Sequence, residues 1–229
     1  MSEQSKAGLF KAALEEAEAL ASPERCEGEG LVLHRYADYW SYRAAQNAGN
    51  AAKLDRQFVK RPHIAYLAEF LDAQLSPVRF GLCHGTRQGK EQRWFSRLLA
   101  GRPRVIGTEI GDSASDFPNT AQWDFHDPNP DWEGRADFVY SNSWDHAFDP
   151  ARAFASWAES LRPGGLMLLD HKRGHDSGAA NSLDPFGARF DVLGPFVTRA
   201  APDLTELDTL DRRDFKPYRA RVLVFRKAG

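Results

Sequence analysis

Carboxylates and histidines in the second half of this chain stand just past short apolar runs, where the strand ends of a parallel sheet would turn them toward a ligand. Glu109 follows Val105, Ile106 and Gly107; Asp124 and Phe125 lie in QWDFHD. Asn142, Ser143, Trp144, Asp145 and His146 follow the run at 137–142, and Asp170, His171 and His175 follow the run at 166–170. An acid about 20 residues beyond a glycine turn, at the end of a second strand, accepts from ribose hydroxyls, and Glu109 stands at that distance from Gly89. A carboxylate at Asp124 can take the exocyclic amine of adenine, with Trp123 or Phe125 against the ring. Imidazoles titrate near neutral pH, so His146, His171 and His175, with Asp145 beside them, are the candidates for acid–base work.

These groups need a scaffold, and the stretch VRFGLCHGTRQGKE at 78–91 is its anchor. A short apolar run ends in a turn with Gly85 and Gly89, and Trp94, Phe95, Leu98 and Leu99 then recur at helix spacing. Strand, glycine turn and helix bring unpaired N–H groups up to an anionic or nucleotide ligand. Gly85, Thr86, Arg87, Gly89 and Glu91 are therefore cofactor candidates, and His84 is either structural or in contact with the cofactor.

Around this anchor the pattern is α/β. Apolar runs at 78–83, 104–109, 121–125, 137–142 and 166–170 alternate with helical stretches at 92–100 and 150–161, and Asp149-Pro150 forms a cap and first-turn pair. Two last runs, 204–210 and 219–226, suit an antiparallel pair at the sheet edge. Upstream, residues 2–21 read as an amphipathic helix with Leu9, Phe10, Ala13, Leu14, Ala17 and Leu20 in one stripe, and 26–30 as a loop. Further helices are expected at 37–58 and 64–75. On the first of these, Tyr39, Tyr42, Gln46, Asn50 and Lys53 share a face, either packed with its amides toward water or turned onto a bound small molecule. The expected architecture is a Rossmann-like, mostly parallel sheet over 77–229 with a C-terminal antiparallel strand pair. Residues 1–76 form an N-terminal helical extension or lid.

From residue 78 onward the order of features resembles a class I S-adenosylmethionine-dependent methyltransferase. The resemblance rests on the glycine turn, Glu109, Asp124, ADFVYSNSWDHAFDP at 136–150 and LRPGGLMLLDH at 161–171, and covers about two-thirds of the chain. It implies S-adenosylmethionine as cofactor, with the glycine turn at its methionine part, Glu109 at the ribose, Asp124 at the adenine, and Asn142 and Trp144 nearby. The common first motif has an acid two positions before the first glycine and a second glycine two positions after it; here those positions hold Cys83 and Arg87. A thiol does not replace a carboxylate facing an ammonium group, which leaves Glu91 or a main-chain carbonyl for that task. The HGTRQGKE form is similar to a variant in some bacterial methyltransferases near glycan biosynthesis. The expected reaction is methylation, most simply at oxygen, of a small or glycan-derived acceptor. Tyr42, Gln46, Asn50 and Lys53 would contact that acceptor, and Lys172, Arg173 and Arg189 in the long stretch 171–189 would suit its phosphate or carboxylate. The alternative is a non-catalytic nucleoside-binding or assembly protein of the same fold.

Other classes are disfavoured. The formal net charge of −2 gives no drive toward a nucleic-acid backbone, and the G-x-G-x-x-G spacing of nicotinamide enzymes is absent. Cys26 and Cys83 lack metal-ligand spacing. His171 and His175 would share a face only on a helix, which Arg173-Gly174 opposes, so no metal is assigned. No apolar run approaches the ~18 residues of a membrane span. A cytoplasmic enzyme, with dimerisation through its first helices open, is the expectation.

Overall fold

The computed structural model describes residues 3–229; the side chains at 3–7, 10 and 21–23, Phe10 of the first stripe among them, lie outside the described residues. In chain order the elements are α1 (Glu3–Leu20), β1 (Ala21–Gly28), β2 (Leu31–Tyr36), α2 (Tyr39–Ala52), α3 (Arg61–Leu75), β3 (Phe80–His84) and α4 (Lys90–Leu98). They continue with β4 (Arg104–Glu109), β5 (Thr120–Gln122), β6 (Ala136–Ser141), α5 (Pro150–Ser160), β7 (Leu161–His171), β8 (Phe186–Ala188), α6 (Phe190–Ala200), β9 (Leu204–Asp211) and β10 (Arg221–Lys227).

The main sheet runs β5-β4-β3-β6-β7-β10-β9. The strands from β5 to β7 are parallel, and β10 is antiparallel to both β7 and β9. Chain order reverses between β3 and β6, which opens a crevice at their carboxyl ends, the place where ligands bind in open α/β sheets. Both faces of the sheet are covered, which is why its strands read as continuous apolar runs. Leu82, Val139, Met167, Leu169 and Phe225 pack toward Phe154, Trp157, Leu193 and Val197 of α5 and α6. Cys83, Phe138, Tyr140, Leu168 and Val224 pack toward Ile64, Leu67, Leu71 and Phe95 of α3 and α4. Asp149 caps α5 by accepting from the Arg152 N–H at 3.1 Å, with Pro150 in the first turn.

Three expectations need correction. Residues 26–30 are not a loop: β1 and β2 form a hairpin, and β2 pairs with β8 in a second, three-stranded sheet. The β1 sequence ASPERCEG has no apolar alternation, and its residues 24–28 are exposed. The helix expected to reach residue 58 stops at Ala52, where the Lys53 N–H bonds back to Ala51, Asn50 and Gly49 carbonyls. The helix α6 went unread, since Gly194 and Pro195 break its apparent periodicity.

A small cluster of Ala17, Ala45 and Leu183, flanked by Leu14, Leu20 and Tyr36, fastens α1 and α2 to the segment after β7. Gln46 donates to the Leu183 carbonyl at 3.0 Å, and the Tyr36 hydroxyl donates to the Ser182 carbonyl. α2 thereby lies as a roof over the strand ends.

Candidate active site

The crevice and its roof enclose a cavity of about 450 Å³. Its walls come from the turn after β3, the ends of β4 and β6, the loops after β5 and β7, one face of α2, and the β9–β10 connection.

At one end stand Glu109, Asp124 and Phe125. Glu109 is 4 % exposed and its carboxylate accepts from Asn50 Nδ2 at 2.7 Å, the Gly111 N–H at 2.9 Å and the Arg87 N–H at 3.0 Å. Burial pushes its pKa above the ordinary value, and these donors oppose the rise. Asp124 accepts from the His126 N–H at 3.0 Å and pairs with His126 Nδ1 at 2.6 Å. Burial alone would raise Asp124; the His126 and Tyr39 contacts outweigh it and hold the group below its usual value. Gly85 closes the turn at φ 71°, and a Cβ there would lie 2.7 Å from Ser143 Cβ, so the turns after β3 and β6 can approach only through a glycine.

Glu91, in the first turn of α4, lies deeper, on the α3 side. It is 6 % exposed; Oε1 accepts from Gln57 Nε2 at 2.7 Å, while Oε2 is buried with no hydrogen-bond partner. Burial raises its pKa. Arg87, where the common motif has glycine, takes a left-handed φ of 46°; its guanidinium donates to the Arg56 carbonyl at 3.0 Å and lies 5.1 Å from the Phe58 ring centre. Cys83 faces away, fully buried in the α3–α4 core. Beneath this wall, Asp170 accepts from the Tyr140 and Tyr218 hydroxyls at 2.6 Å each and pairs with His63 Nε2 at 3.0 Å. Burial would raise Asp170, but His63 and the two hydroxyls bring it below its ordinary value.

The third part of the cavity lies under the roof. Tyr42, Gln46, Asn50 and Lys53 all face it. His146 Nδ1 is 2.7 Å from Gln46 Oε1, and its Nε2 is 3.3 Å from Asp184 Oδ1. Lys53 Nζ is 3.4 Å from the same Asp184 oxygen. His175 Nδ1 is 2.8 Å from the Asp170 carbonyl, and its Nε2 is 3.7 Å from Asp145 Oδ2. Asp145 Oδ1 is buried without a partner. Burial lowers both imidazoles, His146 to about 4, and raises Asp145 well above an ordinary carboxyl.

Of the residues singled out from sequence, Gly85, Thr86, Arg87, Glu91, Glu109, Asp124, Phe125, Asn142, Asp145, His146 and His175 line this one cavity with the four roof residues. Six do not line it. His84 is buried, with Nδ1 2.8 Å from Thr108 Oγ1 and its ring stacked on Trp157, and burial lowers its pKa to about 3. Gly89 caps α4 at φ 66°. Trp144 is wholly buried and its indole donates to the Asp170 carbonyl at 2.7 Å. His171 stacks on Trp144, with Nε2 2.8 Å from the Ala188 carbonyl. Arg173 is exposed, and Arg189 is exposed and paired with Asp191. Lys172, named with those two arginines, does line the cavity, whereas sequence reasoning passed over Asp184 and Tyr218, which also line it. Asp184 stands in the SLDPFG stretch of the long segment after β7, where only its position relative to the roof gives it meaning.

No protein-family model and no curated protein matches the chain. Solved structures do. The 1,6-didemethyltoxoflavin-N1-methyltransferase of Burkholderia thailandensis, solved with 1,6-didemethyltoxoflavin and S-adenosylhomocysteine, superposes with a TM-score of 0.65 at 14% identity, covering 90% of this chain and 100% of that one. The N-methyltransferase NodS of Bradyrhizobium japonicum, solved with S-adenosylhomocysteine, gives 0.59 at 14% identity over 80% of this chain and 99% of that one. The [4+2]-cyclase SpnF gives 0.55 at 13% identity over 96% and 93%. With its strand order, its antiparallel edge pair and its cavity at the reversal point, the chain has the Rossmann-like fold of the class I methyltransferases.

Proposed function

We propose that this protein is an S-adenosylmethionine-dependent methyltransferase acting on a small or glycan-derived acceptor. The observation that carries the reading is the convergence of Gly85, Glu109 and Asp124 on one cavity, each past a different strand of the parallel sheet. Glu109 retains room to accept from a ribose hydroxyl, and Asp124 is held ionised to accept from an amine of the base. The unpartnered Oε2 of Glu91 supplies the negative charge that Cys83 does not, suiting the ammonium group of the cofactor's methionine part. Gly85, Glu91, Glu109 and Asp124 would hold the cofactor, which would supply an electrophilic methyl group, with its sulfur as the leaving group that keeps the electron pair. The protein's part is to align the reactants, exclude water and accept the proton that the acceptor gives up.

The neighbouring cyclase is a reminder that a fold does not decide a reaction. What supports transfer over nucleoside binding alone is the roofed space beyond Asn142, lined by His146 and His175 with no use in holding a nucleoside. Calorimetric titration with S-adenosylhomocysteine tests the reading. Micromolar binding by the wild type that collapses in Glu109→Ala is expected; absence of binding by the wild type overturns it.

A further inference from the structure

The space under the roof has an unusual chemical balance. Gln46 gives its amide N–H to the Leu183 carbonyl, so Oε1 is the atom turned to His146, and it accepts the Nδ1–H. His175 likewise gives its Nδ1–H to the Asp170 carbonyl. His175 is buried and His146 half-buried; desolvation lowers both, so each presents a bare Nε2 lone pair, and each lone pair faces a carboxylate: Asp184 at 3.3 Å and Asp145 at 3.7 Å. Facing acceptors with no proton between them repel. One ligand-capable atom from each of Asp145, His146 and Asp184 lies within 4.8 Å of the other two. Asp145, 6 % exposed, adds an oxygen that nothing in the protein satisfies. Lys53 Nζ stands as a donor to the Asp184 oxygen at 3.4 Å, whereas Asp145 Oδ1 has no hydrogen-bond donor among the described residues.

We propose that Asp145, His146 and Asp184 form the binding site for a protonated primary amine of the acceptor, so that the methylated atom is nitrogen in place of the oxygen expected from sequence. The inference rests on the methyltransferase reading and names its substrate class. A primary ammonium has three N–H donors, one for each of the three convergent acceptors, and one positive charge for Asp145. A hydroxyl offers one donor and no charge. With Lys53 already beside Asp184, the two carboxylates leave one negative charge unmatched, which a single ammonium balances and a divalent cation would exceed. The site also contains the next requirement of the reaction: an ammonium nitrogen has no lone pair, and Asp145, whose carboxyl burial pushes up, can take the proton that frees one.

The test uses thermal unfolding of the full, ligand-free chain with ethylammonium chloride, tetramethylammonium chloride of equal ionic strength, or magnesium chloride. Ethylammonium at ten times its Kd should raise Tm by about 3–6 °C. In a Glu91→Gln background, which removes the other unpartnered carboxylate of the cavity, the rise should persist, and adding Asp145→Asn should abolish it. Tetramethylammonium, which has no N–H, should give none. A response to magnesium that Asp145→Asn abolishes would make this a metal site, and equal response to both ammonium salts, or to none of the three, would likewise overturn the proposal. Titration of the same samples with S-adenosylhomocysteine separates the two readings. Cofactor binding without an ethylammonium response leaves the methyltransferase reading standing and removes the amine; failure of the cofactor to bind removes the former.

Discussion

Glu109 offers the sharpest arithmetic. A carboxylate has about four lone-pair positions. Asn50, the Gly111 N–H and the Arg87 N–H occupy three of them, which leaves about one for a ribose hydroxyl. In Glu109→Gln one oxygen becomes an N–H₂ donor. The remaining oxygen is best kept where Asn50 and Gly111 converge, so the new amide faces the Arg87 N–H, donor against donor. One hydrogen bond to a charged group is worth about 1.5–3 kcal/mol, so losing the ribose contact should weaken S-adenosylhomocysteine binding by about 10- to 150-fold. Asn50→Ala does the reverse, freeing one acceptor position, and its affinity should stay within about threefold of wild type. Calorimetry on variants whose circular dichroism matches wild type reads both numbers. Wild-type affinity in Glu109→Gln would refute the reasoning, and so would a loss in Asn50→Ala as large as that in Glu109→Gln.

Other perturbations have equally definite outcomes. Glu91→Gln removes the unpartnered buried charge and should weaken S-adenosylhomocysteine binding about tenfold in calorimetry, while the ligand-free protein melts higher. Burial raises the Asp145 pKa, so its contribution to stability is fully present below its unfolded value and is lost as pH rises through its folded one. Asp145→Asn should therefore melt with wild type near pH 4 and several degrees above it at pH 8, as differential scanning fluorimetry would show. Asp170→Ala strands His63 and the hydroxyls of Tyr140 and Tyr218 without their acceptor, and urea unfolding should show a loss of about 3–5 kcal/mol.

Much of the sheet was legible because each strand announces itself locally. VIGTE, DFVYS and LMLLD are buried on both faces, and an apolar run of strand length between turn residues has few other readings. The nucleotide end was legible for the same reason: Gly85, Glu109 and Asp124 stand at fixed places relative to those runs. The roof was half legible. Tyr42, Gln46, Asn50 and Lys53 declare a face by helix spacing, but what the face meets is set by a segment some 130 residues later. Asp184 went unread, and the packing of His171 on Trp144 went unseen, because neither partner, Lys53 for the one and Trp144 for the other, is close in sequence. The β1–β2 hairpin stayed hidden because its exposed first strand carries no hydrophobic rhythm.

The seam between α2 and the segment after β7 has a consequence for how such a chain can diverge. The nucleotide end is drawn from strand ends whose positions the whole sheet dictates, so it tolerates little drift. The roofed end is held by one small cluster around Leu183 and the contacts of Gln46 and Tyr36. Substitutions there redraw the acceptor's surroundings without disturbing a strand of the main sheet. A lineage built on this plan can exchange one acceptor for another by rewriting a single helix and a single loop in concert, and descendants should differ most where those two segments meet.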